Sequence, residues 1–424
     1  MINEKEYSAR RDKLAKSLKP YSIAVVFSAK QKTRSNDTEF QYRQNSNFYY
    51  LSGFKEDNAV LVLIKKAKKT KSYLFVQKKD ETLELWTGKR VGEIEAKELF
   101  DVDDVFIVDK YEKKIKEFIQ KSKNVYFDFS VETNETQGLK KLTQKFFSYE
   151  NIAPLIGTMR LIKSETEIKL IRKAIAITKD AHHHVMRESK TLKNEYELQA
   201  DIEHIFKKSG AYSDAYTSIV ACGNAANTLH YISNDKELVN GELILIDAGC
   251  EYNYYTSDIT RTIPVNGKFT LAQKELYEMV LDVQLQIIKM IRPGIKRTKL
   301  HKKSVELLSQ GMISLGILKG PLKKVIKKEL YKKYYPHGIG HWMGIDVHDE
   351  SPYMDENSKE IRLQEGMVMT IEPGIYIDIN DNKVPKKYRG IGIRIEDDIL
   401  ITKDGCENLS LEIAKSIKEI ENIS

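Results

Sequence analysis

Four acidic side chains stand inside stretches of this chain that are otherwise apolar and β-rich, and few folds tolerate that. Asp247 sits in Leu243-Ile-Leu-Ile-Asp-Ala-Gly249, and Asp258 in Tyr255-Thr-Ser-Asp-Ile-Thr-Arg-Thr-Ile263. Glu372 lies within Met367-Val-Met-Thr-Ile-Glu-Pro-Gly-Ile-Tyr-Ile377, and Glu396 within Ile391-Gly-Ile-Arg-Ile-Glu-Asp-Asp-Ile-Leu-Ile401. A carboxylate buried in a strand is costly unless it is paired or metal-bound. A turn at Cys250 to Tyr254 would fold the first two runs into an antiparallel hairpin and set Asp247 opposite Asp258. Arg394 and Glu396 are two residues apart, so in a strand they share a face.

The stretch Tyr335 to Glu350 adds imidazoles: Tyr-Pro-His-Gly-Ile-Gly-His-Trp-Met-Gly-Ile-Asp-Val-His-Asp-Glu. His337 and His341 have the i, i+4 spacing of a helical zinc motif, but Gly338 stands where that motif needs Glu. Glycines 338, 340 and 344 would each cost a helix about 1 kcal/mol relative to Ala. The expectation is a glycine-rich loop leading into a short strand, able to bring backbone close to a ligand or metal. His182, His183 and His184 are consecutive on a predicted helix, point in different directions and cannot hold one ion together.

Several carboxylates with one imidazole suit hard or borderline divalent cations. Mn²⁺ fits best, with Co²⁺, Fe²⁺ and Zn²⁺ left open. Four carboxylates carry enough charge for two cations and can bridge them, the arrangement in which a shared hydroxide attacks a carbonyl or phosphoryl centre.

The rest of the chain is ordinary by comparison. Its 424 residues suggest two or three domains, or one large and one small, and 41% hydrophobic with 31% charged residues describes a globular protein. The net charge of +8 comes mostly from Lys, in runs such as Lys65 to Lys69 and Lys323 to Lys333. Acidic residues are spread throughout and no aromatic platform interleaves with these runs, so they read as solvated surface rather than a nucleic-acid face. Cys222, Cys250 and Cys406 are too few and too far apart for a disulfide framework, which points to a reducing cytoplasm. The charged N-terminus shows no signal peptide, and no run of apolar residues is long enough to span a membrane.

Periodicity predicts a helix over 4–18, strands at 22–28, 58–64, 71–76 and 124–129, and helices near 96–100 and 111–120. This is an α/β unit of about 150 residues. Residues 33–53, dense in Arg, Asn and Tyr, read as a polar loop that contacts a partner or simply covers the surface. Pro154 and Gly157 break the pattern, and the domain boundary is expected there, dividing the chain into 1–157 and 158–424. Ser164-Glu-Thr-Glu167 has the form of a capping box and opens a helix to Arg187. Further helices are expected at 195–210, 272–291 and 299–315.

The order Asp247, Asp258, His341, Glu372, Glu396 resembles the ligand set of the pita-bread metallopeptidases, which include methionine aminopeptidase, prolidase and Xaa-Pro aminopeptidase. The segments His337 to Asp349 and Tyr388 to Asp398 are similar to the proline-specific branch. Arg34 to Phe54 and Glu84-Leu-Trp-Thr-Gly-Lys-Arg90 are similar to bacterial Xaa-Pro aminopeptidase (aminopeptidase P). The resemblance covers nearly the whole chain. It implies an α/β (α+β) protein with a creatinase-like N-terminal domain and a pita-bread catalytic domain. It implies that Asp247 binds one metal, that Asp258 and Glu396 bridge two, and that His341 and Glu372 hold the other. His230, in Thr228-Leu-His-Tyr231, would lie near the scissile carbonyl, His348 would stabilise the oxyanion, and His337 would line the proline pocket. Glu372 would also shuttle a proton, and Arg394 would buttress a bridging carboxylate. Trp86 matches a residue that reaches a neighbouring active site in family tetramers, so a homodimer or homotetramer is implied. Cys222 stands where Ser is more usual, and Met343 and Ile345 where Leu is, departures expected to alter pocket shape. The implied substrate is a peptide with an Xaa-Pro N-terminus. Prolidase, limited to Xaa-Pro dipeptides, is the nearest rival. A metal-free binding module of the same fold is the rival from a different class, but such modules lack the acidic ligands that are intact here.

Overall fold

A computed structural model describes residues 2–131, 133–144 and 148–424. The chain forms two compact units, Met1–Arg160 and Leu161–Ser424.

The first unit is built on one sheet. After α1 (Glu4–Ser17), β1 (Ser22–Phe27) is buried at every residue, as its apolar run requires. An exposed hairpin follows, β2 (Thr33–Ser35) and β3 (Thr38–Glu39), and then α2 (Ser46–Ser52). The polar-loop expectation for 33–53 therefore fails in its second half. Every residue of α2 is buried, and the Asn45 side chain caps it by accepting from Phe48 N. Phe48, Tyr49 and Tyr50 are core, because a short capped helix turns them inward, whereas Phe40 stays exposed. β4 (Val60–Lys65) and β5 (Thr70–Val76) form an antiparallel hairpin. α3 (Glu81–Thr87), α4 (Gly92–Leu99), β6 (Asp104–Ile107), α5 (Tyr111–Ile119), β7 (Asn124–Phe127), α6 (Asn134–Thr143) and β8 (Ser148–Asn151) complete the sheet order β6-β5-β4-β1-β7-β8. Pro154 and Gly157, read as a break, lie inside α7 (Ala153–Arg160). Pro is tolerated in a first turn because its missing N–H would have no partner there.

The second unit opens on Lys163 and the capping box of α8 (Glu165–Glu188), where Ser164 Oγ accepts from Glu167 N and Glu167 reaches back to Ser164 N. α9 (Glu195–Lys208) packs on α8. The three histidines of α8 diverge: His182 Nε2 lies 3.1 Å from Ala248 O, His183 accepts from Ala414 N, and His184 faces Asp201. The remaining strands are short: β9 (Ser213–Asp214), β10 (Ile219–Cys222), β11 (Leu243–Asp247), β12 (Cys250–Tyr252), β13 (Tyr255–Thr256) and β14 (Thr260–Pro264). After α10 (Leu271–Met290), α11 (Arg297–Ser314) and α12 (Leu322–Lys327) come β15 (Val368–Ile371), β16 (Gly374–Tyr376), β17 (Gly392–Arg394), β18 (Asp397–Ile401), β19 (Cys406–Asn408) and α13 (Ile417–Ile423). They pair as β10-β11-β14, β13-β12-β9, β15-β18-β19 and β16-β17. The apolar faces of α8 to α11 and of these strands share one core, which includes Ile177, Val280, Leu308 and Ile399.

The expected hairpin between 243–249 and 255–263 is not formed as drawn. β11 pairs with β14 in the register Asp247↔Thr260, while β12 and β13 fold on each other and join a different sheet. Asn253 and Tyr254, both at positive φ, make that turn. Asp258 lies in the link between β13 and β14, so it does not face Asp247 across a ladder. Residues 335–350 contain no strand, only a bridge between Trp342 and Met369. The loop still runs beside β15, since Thr370 N donates to His341 O and Glu372 N to Ile339 O, both at 2.9 Å. That approach requires glycine at 340, where a Cβ would stand 1.9 Å from Thr370 O.

Candidate active site

All four carboxylates sit where a ladder stops. Asp247 ends β11, Asp258 lies between β13 and β14, Glu372 separates β15 from β16 at Pro373, and Glu396 separates β17 from β18. A break frees backbone from its regular pairing, and other groups must then satisfy it. Gln284 of α10, fully buried, does so by donating to Ile371 O and Ile395 O, the residues just before Glu372 and Glu396. Arg261 donates to Glu396 O and to Asp397, whose carboxylate also takes Lys415 and Asn408. Asp397 is thus a structural acid: burial pushes its carboxyl up, but Arg261 and Lys415 outweigh that and hold it below its ordinary value. Asp398 Oδ2 accepts from Asp258 N at 3.1 Å.

These breaks converge on a cavity of about 340 Å³. Asp247, Asp258, His341, Glu372 and Glu396 line it, and so do His230, His337, His348 and Arg394. Ligand atoms of Asp247, Asp258 and Glu396 lie within 4.8 Å of one another. The same holds for His341, Glu372 and Glu396, and for Asp258, His341 and His348. Glu372 is half-buried, not buried as its apolar run predicts, because Pro373 interrupts the ladder and turns the side chain to the cavity.

The electrostatics follow from crowding. Burial raises the Glu396 carboxyl well above its ordinary value, and Asp258, Glu372 and Asp247 raise it further. Burial also raises Asp247, partly offset by Arg394. Glu372 is lifted to about 7, first by burial, with His341 and Arg394 opposing and Asp258 and Asp247 reinforcing. Burial pulls His341 down, but the hydrogen bond and charge of Asp258 and the charge of Glu372 outweigh it and set the ring at about 9. His341 Nδ1 lies 3.0 Å from Trp342 O, which leaves Nε2 facing Asp258 at 3.2 Å. Burial and the charge of Arg394 lower His337 to about 3.

Polar residues around the cavity fix these side chains. Arg394 Nη2 donates to Asp247 Oδ2 and Tyr216 OH to Asp247 Oδ1, each at 2.6 Å. Arg394 Nη1 donates to Tyr376 OH at 3.0 Å, so that hydroxyl gives its proton to His337 Nε2 at 2.9 Å. Arg394 holds Asp247 directly and also reaches Glu396 through Thr260, which stands opposite Asp247 in the ladder and whose hydroxyl accepts from Arg394 Nε and donates to Glu396 Oε2. Ile219, Leu229, Ile232 and Val347 supply apolar wall. Cys222, Met343 and Ile345 are buried outside the lining, so those departures do not reshape the cavity directly. Tyr216, Tyr376 and Thr260 were not singled out from sequence; only Tyr376, two residues past Glu372-Pro373-Gly374, carried a local signal.

The site suits divalent cations. Three buried carboxylates within one ion's reach, with one guanidinium near them, leave negative charge that a cation neutralises. Among the described residues no helix is long and apolar enough to cross a membrane.

Comparison with known proteins agrees over the full length. The family model described as metallopeptidase family M24 matches residues 169–403, and the one described as the aminopeptidase P N-terminal domain matches residues 7–126. The chain is 40% identical to an Xaa-Pro aminopeptidase of Escherichia coli (strain K12), over 99% of this chain and 97% of that one. It is 38% identical to an Xaa-Pro aminopeptidase of Haemophilus influenzae, over 100% and 97%. A solved structure of E. coli aminopeptidase P with the inhibitor Pro-Leu matches with a TM-score of 0.94 at 38% identity, covering 100% of this chain and 98% of that one. The chain belongs to metallopeptidase family M24, with an aminopeptidase P N-terminal domain ahead of a pita-bread catalytic domain.

Proposed function

We propose that the chain is an Xaa-Pro aminopeptidase that removes the first residue from peptides with proline at position two, using two divalent cations, Mn²⁺ by preference. The observation that carries this is the overlap of the ligand groups: Glu396 belongs both with Asp247 and Asp258 and with His341 and Glu372. Two cation positions that share Glu396 account for all five residues. In this reading Asp247 would hold one cation, His341 and Glu372 would hold the other, and Asp258 and Glu396 would contribute to both. Bound there, the cations supply Lewis acidity and a water nucleophile near neutral pH.

The chain's own groups do the rest. His348, at the cavity wall, donates to the carbonyl oxygen as negative charge develops on it. His230 stands near the same carbonyl. His337 stays neutral because its pKa is about 3, and Tyr376 and Arg394 hold its orientation beside the proline ring. Proline's imide nitrogen has no N–H and must leave as a protonated amine. Glu372 is the donor in this reading, since its carboxyl lines the cavity beside His341 and His337 and is placed to pass a proton to the leaving nitrogen. The substrate's free α-ammonium meets the carboxylate cluster, which favours action at the N-terminus. Full-length likeness to relatives named Xaa-Pro aminopeptidase supports this reading over a dipeptidase. Trp86, 84% exposed on α3, and Leu85, 85% exposed beside it, fit a homodimeric or homotetrameric assembly, since large exposed apolar groups mark interfaces.

The test is cleavage by metal-stripped protein reloaded with Mn²⁺, offered Arg-Pro-Pro, Arg-Pro and Met-Ala-Ser. Release of Arg from the tripeptide with little from the dipeptide supports the proposal. Cleavage of the dipeptide alone moves the activity to a prolidase, and no cleavage with any divalent ion removes the enzymatic reading.

A further inference from the structure

His348, like His230, is a proposed catalytic group that no hydrogen bond of its own side chain supports among the described residues. It is exposed, and among the described residues its side chain makes no hydrogen bond; its ring meets that of His341 edge-on with centroids 4.1 Å apart. Its position is therefore set by the backbone that carries it. That backbone is a closed loop: Asp349 N donates to Trp342 O at 2.9 Å, so residues 342–349 return on themselves.

The loop is pinned by a charge pair from elsewhere in the unit. Lys163 Nζ lies 3.0 Å from Asp349 Oδ2, and both side chains are only 1% exposed. Lys163 sits just ahead of α8, and its backbone N–H is tied to Gly366 O. Ser351 Oγ donates to the same Asp349 oxygen. Gly344, in the middle of the loop, lies directly on the pair: a Cβ there would stand 2.8 Å from Lys163 Cε and 2.9 Å from Asp349 Oδ2. Gly344 O in turn accepts from Thr256 N and Thr256 Oγ1. A buried ion pair gives little net stability over apolar residues of the same shape. What it gives here is direction, because its geometry fixes the residue next to His348.

We infer that the buried Lys163–Asp349 pair is a positioning device for His348, holding the 342–349 loop so that the imidazole faces the reacting carbonyl. The inference rests on the role proposed for His348 in peptide cleavage. Displacing a catalytic group by about 1 Å costs on the order of a hundredfold in rate.

The experiment uses the Mn²⁺-loaded full chain carrying Lys163→Met together with Asp349→Asn, which leaves no unpaired buried charge. The double variant, with and without His348→Ala, is assayed on Arg-Pro-Pro, its bound metal is measured, and its crystal structure is solved. We expect kcat to fall roughly 10- to 100-fold, with KM and bound Mn²⁺ unchanged. We also expect the fall to vanish in the His348→Ala background and the His348 ring to be displaced. An unchanged kcat, an equal fall with and without His348, or loss of bound metal would overturn the inference. If the double variant does not fold, Asp349→Asn alone is read in the same way. If His348→Ala has no effect in the parent but the ring moves in the variant, the catalytic role of His348 fails while the anchoring stands.

Discussion

Glu372 is the residue on which the chemistry and the stability of this protein meet. Its carboxyl is raised from 4.5 to about 7 in the folded chain, by burial first. A carboxyl raised on folding stabilises the fold below its unfolded value and loses that contribution as pH rises through the folded one. Without metal, stability should therefore fall between about pH 4.5 and pH 7. Glu372→Gln should flatten that part of the slope, and melting curves of the metal-free parent and variant across this range would show it; identical slopes would refute the assignment. Asp247→Asn should lower kcat/KM by more than about a hundredfold, exceeding what loss of a supporting group costs. It should also reduce bound metal while leaving the circular dichroism spectrum in place. The convergence of the four acids on one cavity was legible because an acid in an apolar run contradicts ordinary core chemistry. Tyr216, Tyr376 and Thr260 were not, because a tyrosine or threonine in a β-rich run is unremarkable until the fold brings it to an acid.

Among the elements, the strands show what periodicity misses. The apolar runs at 367–377 and 391–401 each read as one strand, but each is two strands with an acid at the joint. Apolar content predicts burial, not continuity of pairing, so the joints were invisible. The hairpin expected at 250–254 went to a separate sheet for the same reason: local sequence favours a turn at Asn253 and Tyr254 but does not say which strands flank it. Gln284 clasps both joints from α10. Gln284→Leu should destabilise the protein by about 1–3 kcal/mol for each buried carbonyl left unpaired, seen as a lower urea midpoint with unchanged slope. A midpoint within error of the parent would mean that water or backbone shifts replace those bonds. The long helices of the second unit were read more faithfully. The capping box at Ser164 and Glu167 marks α8, and its start is where the sequence places it.

At the scale of the whole molecule, every residue proposed to hold metal belongs to the second unit, Leu161–Ser424. Mn²⁺ at a hundred times its dissociation constant should stabilise that unit by about 2.7 kcal/mol. Hydrogen exchange should show the added protection in peptides from 161–424 and not in those from 1–160; equal protection in both would contradict a site confined to the second unit. The division into an α/β unit and a larger second unit was within reach of the sequence, because strand–helix alternation ends near residue 154. The burial of α2 was not, because seven residues rich in Tyr, Asn and Ser give no helical stripe. The placement of the acids at ladder ends has a further consequence for descent. No strand depends on those side chains for its pairing, so a lineage can exchange or discard them one substitution at a time without rebuilding the sheet. Such a scaffold is free to inherit its shape while its chemistry drifts, from one metal preference to another or out of catalysis altogether.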